Sequence, residues 1–223
     1  MGLHLNFELR LPGSVSRPEI VDTLGQLRAH AMRTPVREVT ELITIDKPYS
    51  HDERALYELE PFFRSWTSIL AHPTADHPEA DMIGDECSAV GFVVAPGRRC
   101  EPAPIGFFKR RDQAGTLEEW YWHTCCKTQY ASVVSEEHLV TCHTALVSIL
   151  DYAIEIGVGV VVRDETGYWE SRDASVLIAS VREMNRIVAA FAGAMRDAMP
   201  SRLGVGGAIL EHPRFEWVEM GRE

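Results

Sequence analysis

The chain is poor in positive charge. Its 223 residues carry 22 Lys and Arg against 33 Asp and Glu, for a net charge of −11 at pH 7. Such a surface repels polyanions unless a basic patch is segregated, so neither nucleic acid nor an anionic membrane is an expected partner. Long apolar runs are missing as well. The nearest, Val176 to Met199, is broken by Arg182, Glu183, Asn185, Arg186, Arg196 and Asp197, and a bilayer span needs roughly 20 apolar residues in a row. Met1 to Leu11 mixes polar and apolar residues without a basic stretch leading into an apolar one, which is not a secretion signal. Cysteines are few and odd in number: Cys87, Cys100, Cys125, Cys126 and Cys142. Without a secretion signal they read as reduced thiols in a cytoplasmic protein. A bond between the neighbours Cys125 and Cys126 would be strained, so no structural disulfide is expected. Also missing are Gly-x-Gly-x-x-Gly after a strand, a phosphate loop, Gly-x-Ser-x-Gly, His-Glu-x-x-His and a calcium loop. Their absence turns the reading away from common nucleotide-dependent enzymes and serine hydrolases. No cofactor is expected.

What is present is an ordinary globular composition, 45% hydrophobic and 25% charged. A chain of this size buries about 70% of its unfolded surface, enough for one large core. Leu3, Leu5, Phe7 and Leu9 share one face of a period-two segment, a half-buried strand. Ser16, with Pro18 just inside and Glu19 three residues on, opens a helix whose apolar stripe is Ile20, Leu24, Leu27 and Ala31. Val36 to Ile45 alternates again. From Asp46 to Glu86 the periodicity fades, with a short helix at Pro61 to Leu70 and an exposed acidic loop beyond it. Ala89–Val94, Ile105–Arg110 and Leu117–Cys126 read as strands. Ser135 caps a helix that is apolar nearly all round and that Gly157 ends. The β-branched run Val158–Val162 reads as an interior strand. Ser171 or Asp173 caps a last helix with the seam Leu177, Val181, Met184, Val188, Phe191 and Met195. The expectation is one α+β domain over residues 1–223. It would be a two-layer sandwich with a mixed, mostly antiparallel sheet and about three helices on one face. An irregular insertion at about 46–86 and a C-terminal arm at about 200–223 complete it. The last helical seam also suits pairing between two copies, a homo-oligomer, although burial within its own domain explains it as well.

Chemistry-bearing side chains concentrate in Trp120 to Tyr130. On a strand, Trp120, Trp122, Thr124 and Cys126 share one face, and Tyr121, His123, Cys125 and Lys127 share the other. The following helix places His138 and Cys142 one turn apart, with His143 beside them. His123, Cys125, His138 and Cys142 would satisfy a tetrahedral zinc ion. The plainer account is a solvated His138 and a buried, inert Cys142. Two tryptophans beside a buried helix are the better core face, which counts against the metal. Cys126 beside Lys127, with His123 or His143 as base, is the candidate catalytic nucleophile; two inert strand thiols are the alternative. Asp164 and Glu165 end a strand just before Tyr168 and Trp169, a position for a metal, a general base or simply a polar turn. His72 to His77 and Lys109-Arg110-Arg111 are read as solvated turns.

Several of these segments resemble a family of uncharacterised bacterial proteins. They are Cys100-Glu-Pro-Ala103, the Trp120-x-Trp122 strand, Cys126-Lys-Thr-Gln-Tyr-Ala-Ser132, and Asp164-Glu165 with Tyr168-Trp169-Glu170 and Arg172-Asp173. The likeness extends to Phe7–Pro12 and the last two helices. It implies a bacterial source and carries over no activity, substrate or cofactor. His123 and Cys125 fall outside the matching pattern. The resulting expectation is a cytoplasmic binding protein. A small ligand or a protein partner would sit in a polar-aromatic cleft of Trp122, Cys126, Lys127, Gln129, Tyr130, Asp164 and Trp169. The alternative is a cysteine- or metal-dependent enzyme.

Overall fold

The computed structural model describes residues 2–45, 89–111 and 118–198, together with Ile209, Phe215, Val218 and Met220. The expected insertion at 46–86, the His72–His77 loop, Cys87 and most of the C-terminal arm lie outside the described residues.

The chain opens with β1 (Leu5–Pro12), whose Leu5, Phe7 and Leu9 are buried while the residues between them are not. Helix α1 (Arg17–Ala31) comes next. Its capping box forms as the sequence predicts, with the Ser16 N–H donating to Glu19 Oε2 at 2.8 Å. The same contacts hold the Glu19 carboxyl below its ordinary range, the Ser16 hydroxyl contributing most. Ile20, Leu24, Leu27 and Ala31 are the buried stripe. The segment after α1 is two short strands, not one: β2 (Glu38–Val39) and β3 (Ile43–Ile45), both antiparallel to β4 (Ala89–Ala95). The Thr40 side chain interrupts them, its hydroxyl accepting from the Val93 N–H at 2.9 Å.

β5 (Ala103–Arg111) and β6 (Glu118–Cys126) extend the sheet. A 3-10 turn (Gln129–Val133) leads into α2 (Glu136–Glu155), N-capped by the Ser135 hydroxyl on the His138 N–H. Gly157, at φ +88, turns the chain out of α2 in a conformation that favours glycine. β7 (Gly159–Asp164), the short α3 (Tyr168–Ser171) and α4 (Ala174–Ala198) complete the described fold. Asp173 begins α4, its Oδ1 accepting from the Ser175 N–H at 2.8 Å.

The seven strands form one sheet in the order β2-β4-β5-β6-β1-β7, with β3 also on β4, and every described pairing is antiparallel. An α+β fold results, as expected, with two refinements. The third long helix packs chiefly on α2 and α3, not on the sheet, while α1 lies on β4 and α2 on β7. And β7 is not an interior strand: it pairs with β1 alone among the described strands, and Val161 is 55% exposed. A run of three valines looks the same whether both faces are covered or only one, because valine suits any pleated surface. The α4 seam is shifted as well. Leu177, Val181, Asn185 and Ala189 face inward, and Phe191 is exposed. Asn185 takes the place expected for Met184 because its amide is bonded to Gln129 and Ser132.

Candidate functional site

The register explains which polar groups the sheet hides. Leu5 lies across from both Cys126 and Asp164, Phe7 from Thr124 and Val162, Leu9 from Trp122 and Val160. All these side chains therefore point to the helix-covered face. Asn6, Glu8, His123, Cys125, Val161 and Arg163 occupy the opposite face of the same three strands.

On the covered face sits a fully bonded polar cluster. The Asp164 carboxylate accepts from the Thr166 N–H (2.9 Å), the Thr166 hydroxyl (2.7 Å) and the Trp169 N–H (2.9 Å). It also meets His143 Nε2 at 3.1 Å. An ionised carboxylate only accepts, so His143 donates to it from Nε2, and Nδ1 meets the Thr128 hydroxyl at 2.9 Å. The edge of the Tyr168 ring closes over the imidazole, with centroids 5.4 Å apart. Burial pushes the Asp164 carboxyl up, but the bonds from His143 and Thr166 prevail and hold it at about 2. Thr128–His143–Asp164 has the connectivity of a nucleophilic triad, but Thr128 is only 3% exposed. Its work is to join the end of β6, α2 and the end of β7.

A second buried network lies beside it. Gln129 accepts the Leu3 N–H at 2.8 Å and donates to Asn185 Oδ1 at 2.8 Å, while Asn185 Nδ2 donates to Ser132 Oγ at 2.9 Å. Gln129 is 1% exposed.

The seven residues expected to line one cleft are for the most part enclosed, and Asp164 and Trp169 are bonded to each other. Trp122, Cys126, Gln129 and Asp164 are buried. Trp122 donates from Nε1 to Pro104 O at 2.9 Å. Lys127, half-buried, reaches Glu101 Oε1 at 3.6 Å. Tyr130 packs on the cluster of Ala189, Ala192, Ile209, Phe215 and Val218, so the described part of the C-terminal arm docks there. Trp169 lies under the Arg172 guanidinium, 4.2 Å from its ring centroid, and Arg172 is paired with Asp151. Lys127 and Gln129 both flank Gly2, where an added Cβ would lie 2.9 Å from Lys127 Cε and 2.8 Å from Gln129 Oε1, while Tyr130 turns to the C-terminal cluster.

The proposed zinc ligands are divided too. His123 and Cys125 face away from α2, while His138 and Cys142 sit together on it, with Cys142 Sγ 3.6 Å from His138 Nε2. Among the described residues no three His, Cys, Asp or Glu side chains form a metal-ligand group. Cys126 is fully buried and its thiol donates to Glu101 O at 3.0 Å. Burial, followed by the Glu101 charge, pushes its pKa well up, the reverse of what a nucleophilic thiol needs.

The open face of β6, β1 and β7 holds a groove of about 400 Å3, lined by Asn6, Glu8, His123, Val161, Arg163 and Glu165. Its acids have partners: Glu8 Oε2 accepts from Arg10 Nε at 3.2 Å, and Glu165 Oε2 accepts from the His4 N–H at 2.8 Å. The Arg163 guanidinium and the His123 imidazole make no side-chain bond to another described residue. The alternation of β1 already places Asn6, Glu8 and Arg10 opposite Leu5, Phe7 and Leu9. What the sequence hides is that β7 brings Arg163 alongside them.

Among the described residues no helix is long and apolar enough to cross a membrane. In comparisons with known proteins, no family model matches the chain, and no curated protein or solved structure is significantly similar to it.

Proposed function

We propose that the protein acts by binding, and that its ligand seats in the groove on the open face of β6, β1 and β7. The observation that carries this reading is the contrast in pairing within the groove. Its carboxylates are satisfied by neighbours, whereas Arg163 and His123 present donors to solvent. In a chain of net charge −11, an arginine beside two glutamates, without a side-chain partner among the described residues, is suited to an incoming anion. Arg163 is the planar, two-pronged donor that carboxylates and phosphates favour. Asn6 supplies a neutral amide beside Arg163, and Val161 an apolar floor. The ligand class is a small carboxylate- or phosphate-bearing molecule. The overall negative charge speaks against a nucleic acid. A thiol enzyme is the weaker reading, since Cys126 is enclosed and its pKa is raised.

Amide chemical shifts of the isotopically labelled chain, followed during titration with succinate and separately with inorganic phosphate, test this. Saturable shifts clustered at Asn6, His123 and Arg163, and lost in Arg163→Ala, are expected. Shifts absent for both anions at millimolar concentration, or unchanged in the variant, would overturn the reading.

A further inference from the structure

We propose that the outer edge of β7 is a dimerisation surface whose partner is a second copy of this chain, the two β7 strands joining antiparallel so that two sheets become one.

The bonding groups of that edge follow from the ladder. In an antiparallel pair, alternate residues turn both backbone groups toward the neighbouring strand, and the residues between them turn theirs away. The Glu165 N–H donates to His4 O at 3.0 Å. In two-residue steps from Glu165, the backbones of Arg163, Val161 and Gly159 therefore face β1. Those of Val160, Val162 and Asp164 face outward. Asp164 O accepts from the Gly167 N–H at 3.1 Å, and Val158, just before the strand, donates its N–H to Ala153 O at 2.9 Å. The N–H and C=O groups of Val160 and Val162 have no partner among the described residues.

The two ends of the sheet are built differently. Beyond β4 lie β2 and β3, two and three residues long, and strands so short resist pairing. β7 runs for six residues, and its pairing with β1 is unbroken by a bulge. Between Gly159 and Val162 it carries neither a proline nor a charge, the usual guards of an exposed edge.

The spacing of the open groups selects the partner. A second copy related by a two-fold axis presents the same groups in reverse order. With the axis at Val161, Val160 lies across from the second copy's Val162, and Val162 across from its Val160. Each of these pairs exchanges two N–H···O bonds, which satisfies every open group of both valines on both copies. An axis at Val162 would set Val160 against Asp164, whose carbonyl is taken, and an axis at Val160 would set Val162 against Val158, whose N–H is taken. The side chains agree with the same register. Val161, 55% exposed, meets its own copy in a pair without backbone bonds, where side chains approach most closely. Arg163 lies across from the second copy's Gly159, which leaves the guanidinium room and puts no like charge directly opposite. Val160 and Val162 continue the helix-covered face from one copy to the next.

Sedimentation velocity of the full chain at roughly 1 to 300 µM, a range suited to a small dissociating interface, tests this in a buffer without carboxylate or phosphate. The wild type should shift from one chain toward two as the concentration rises. Val162→Pro removes an outward N–H and leaves the β1 ladder intact, and it should stay at one chain. Val161→Lys and Val161→Glu each set like charges face to face and should be monomeric alone, whereas their equimolar mixture should regain the dimer. Circular dichroism establishes that each variant is folded, and the two Val161 variants, changed at an exposed position, decide the question if Val162→Pro is not. A wild type that stays monomeric throughout, a dimer that persists in the single variants, or a mixture that stays monomeric would overturn the proposal. No anion is present, so none of these outcomes bears on the groove.

Discussion

The two faces of the β6-β1-β7 half-sheet carry polar side chains under opposite rules. On the covered face Asp164, His143, Thr128 and Gln129 are buried, and each is bonded to partners brought from other elements. On the open face Arg163 and His123 have no side-chain partner among the described residues, and the groove there is wide enough for a small ligand. Buried polar groups persist only when bonded, since each unmade bond costs about 1–3 kcal/mol. Exposed ones are free to wait, because water satisfies them. Full satisfaction inside therefore marks structure, and the open donors outside are what the proposed binding reading rests on.

The sharpest way to break this contrast is to remove the centre of the inner cluster. Asp164→Ala leaves His143 without its acceptor, and the Thr166 and Trp169 N–H groups without theirs. Urea denaturation should show a loss of about 3–5 kcal/mol, the usual cost of stripping one partner from a buried pair. Asp164→Asn should cost less. Its carbonyl keeps the Thr166 bonds, and its amide can donate to a His143 ring that has moved its hydrogen to Nδ1, leaving chiefly the Trp169 N–H unmet. A variant as stable as the parent would mean that the cluster does not hold the fold together.

Next in size is Gln129→Leu. The side chain is of similar length, but the Leu3 N–H loses its acceptor and Asn185 Oδ1 its donor. A cost of about 3 kcal/mol is expected, with hydrogen exchange at Leu3 rising more than at residues farther along β1.

The acid limb of the stability curve gives a third measure. Asp164 is held at about 2 against an ordinary value of 3.8. A depressed carboxyl stabilises the fold above its unfolded pKa and loses that contribution as the pH falls through the folded one. Between pH 4 and pH 2 the wild type should therefore lose roughly 2 kcal/mol that Asp164→Asn does not. Parallel acid limbs for the two proteins would show that the carboxylate gains nothing from its neighbours.

The sequence tells the two faces apart only in part. Alternation in β1 and β6 assigns Leu5, Phe7, Trp122 and Cys126 to one side correctly, and both the Ser16 and Ser135 caps are legible from local chemistry alone. The Lys127-Gln129-Tyr130 group is not. Side-chain direction in a strand persists for two-residue steps, but β6 ends at Cys126 and the 3-10 turn redirects the side chains after it. His143 lies at a legible helix position, yet its pairing with Asp164 joins α2 to an edge strand, and no spacing encodes such a meeting. The valines of β7 mislead because an edge strand and an interior strand share the same residue preferences.

The smallest expected effect on stability, and the most telling for the comparison, is Arg163→Ala. The guanidinium has no side-chain partner to lose among the described residues, so denaturation should move by no more than about 0.5 kcal/mol. The same change should weaken succinate binding roughly tenfold or more, since a charge-assisted bond contributes about 1.5–3 kcal/mol. Added salt should weaken wild-type binding and leave the residual binding of the variant nearly unaffected, because the charge that salt screens is gone. Asp164→Asn should do the opposite on both counts, losing stability while keeping its anion affinity, provided it is assayed where it is folded. If Arg163→Ala instead destabilised the fold and Asp164→Asn instead weakened binding, the outer face would be structural and the inner cluster functional, and the assignment of the two faces would have to be exchanged.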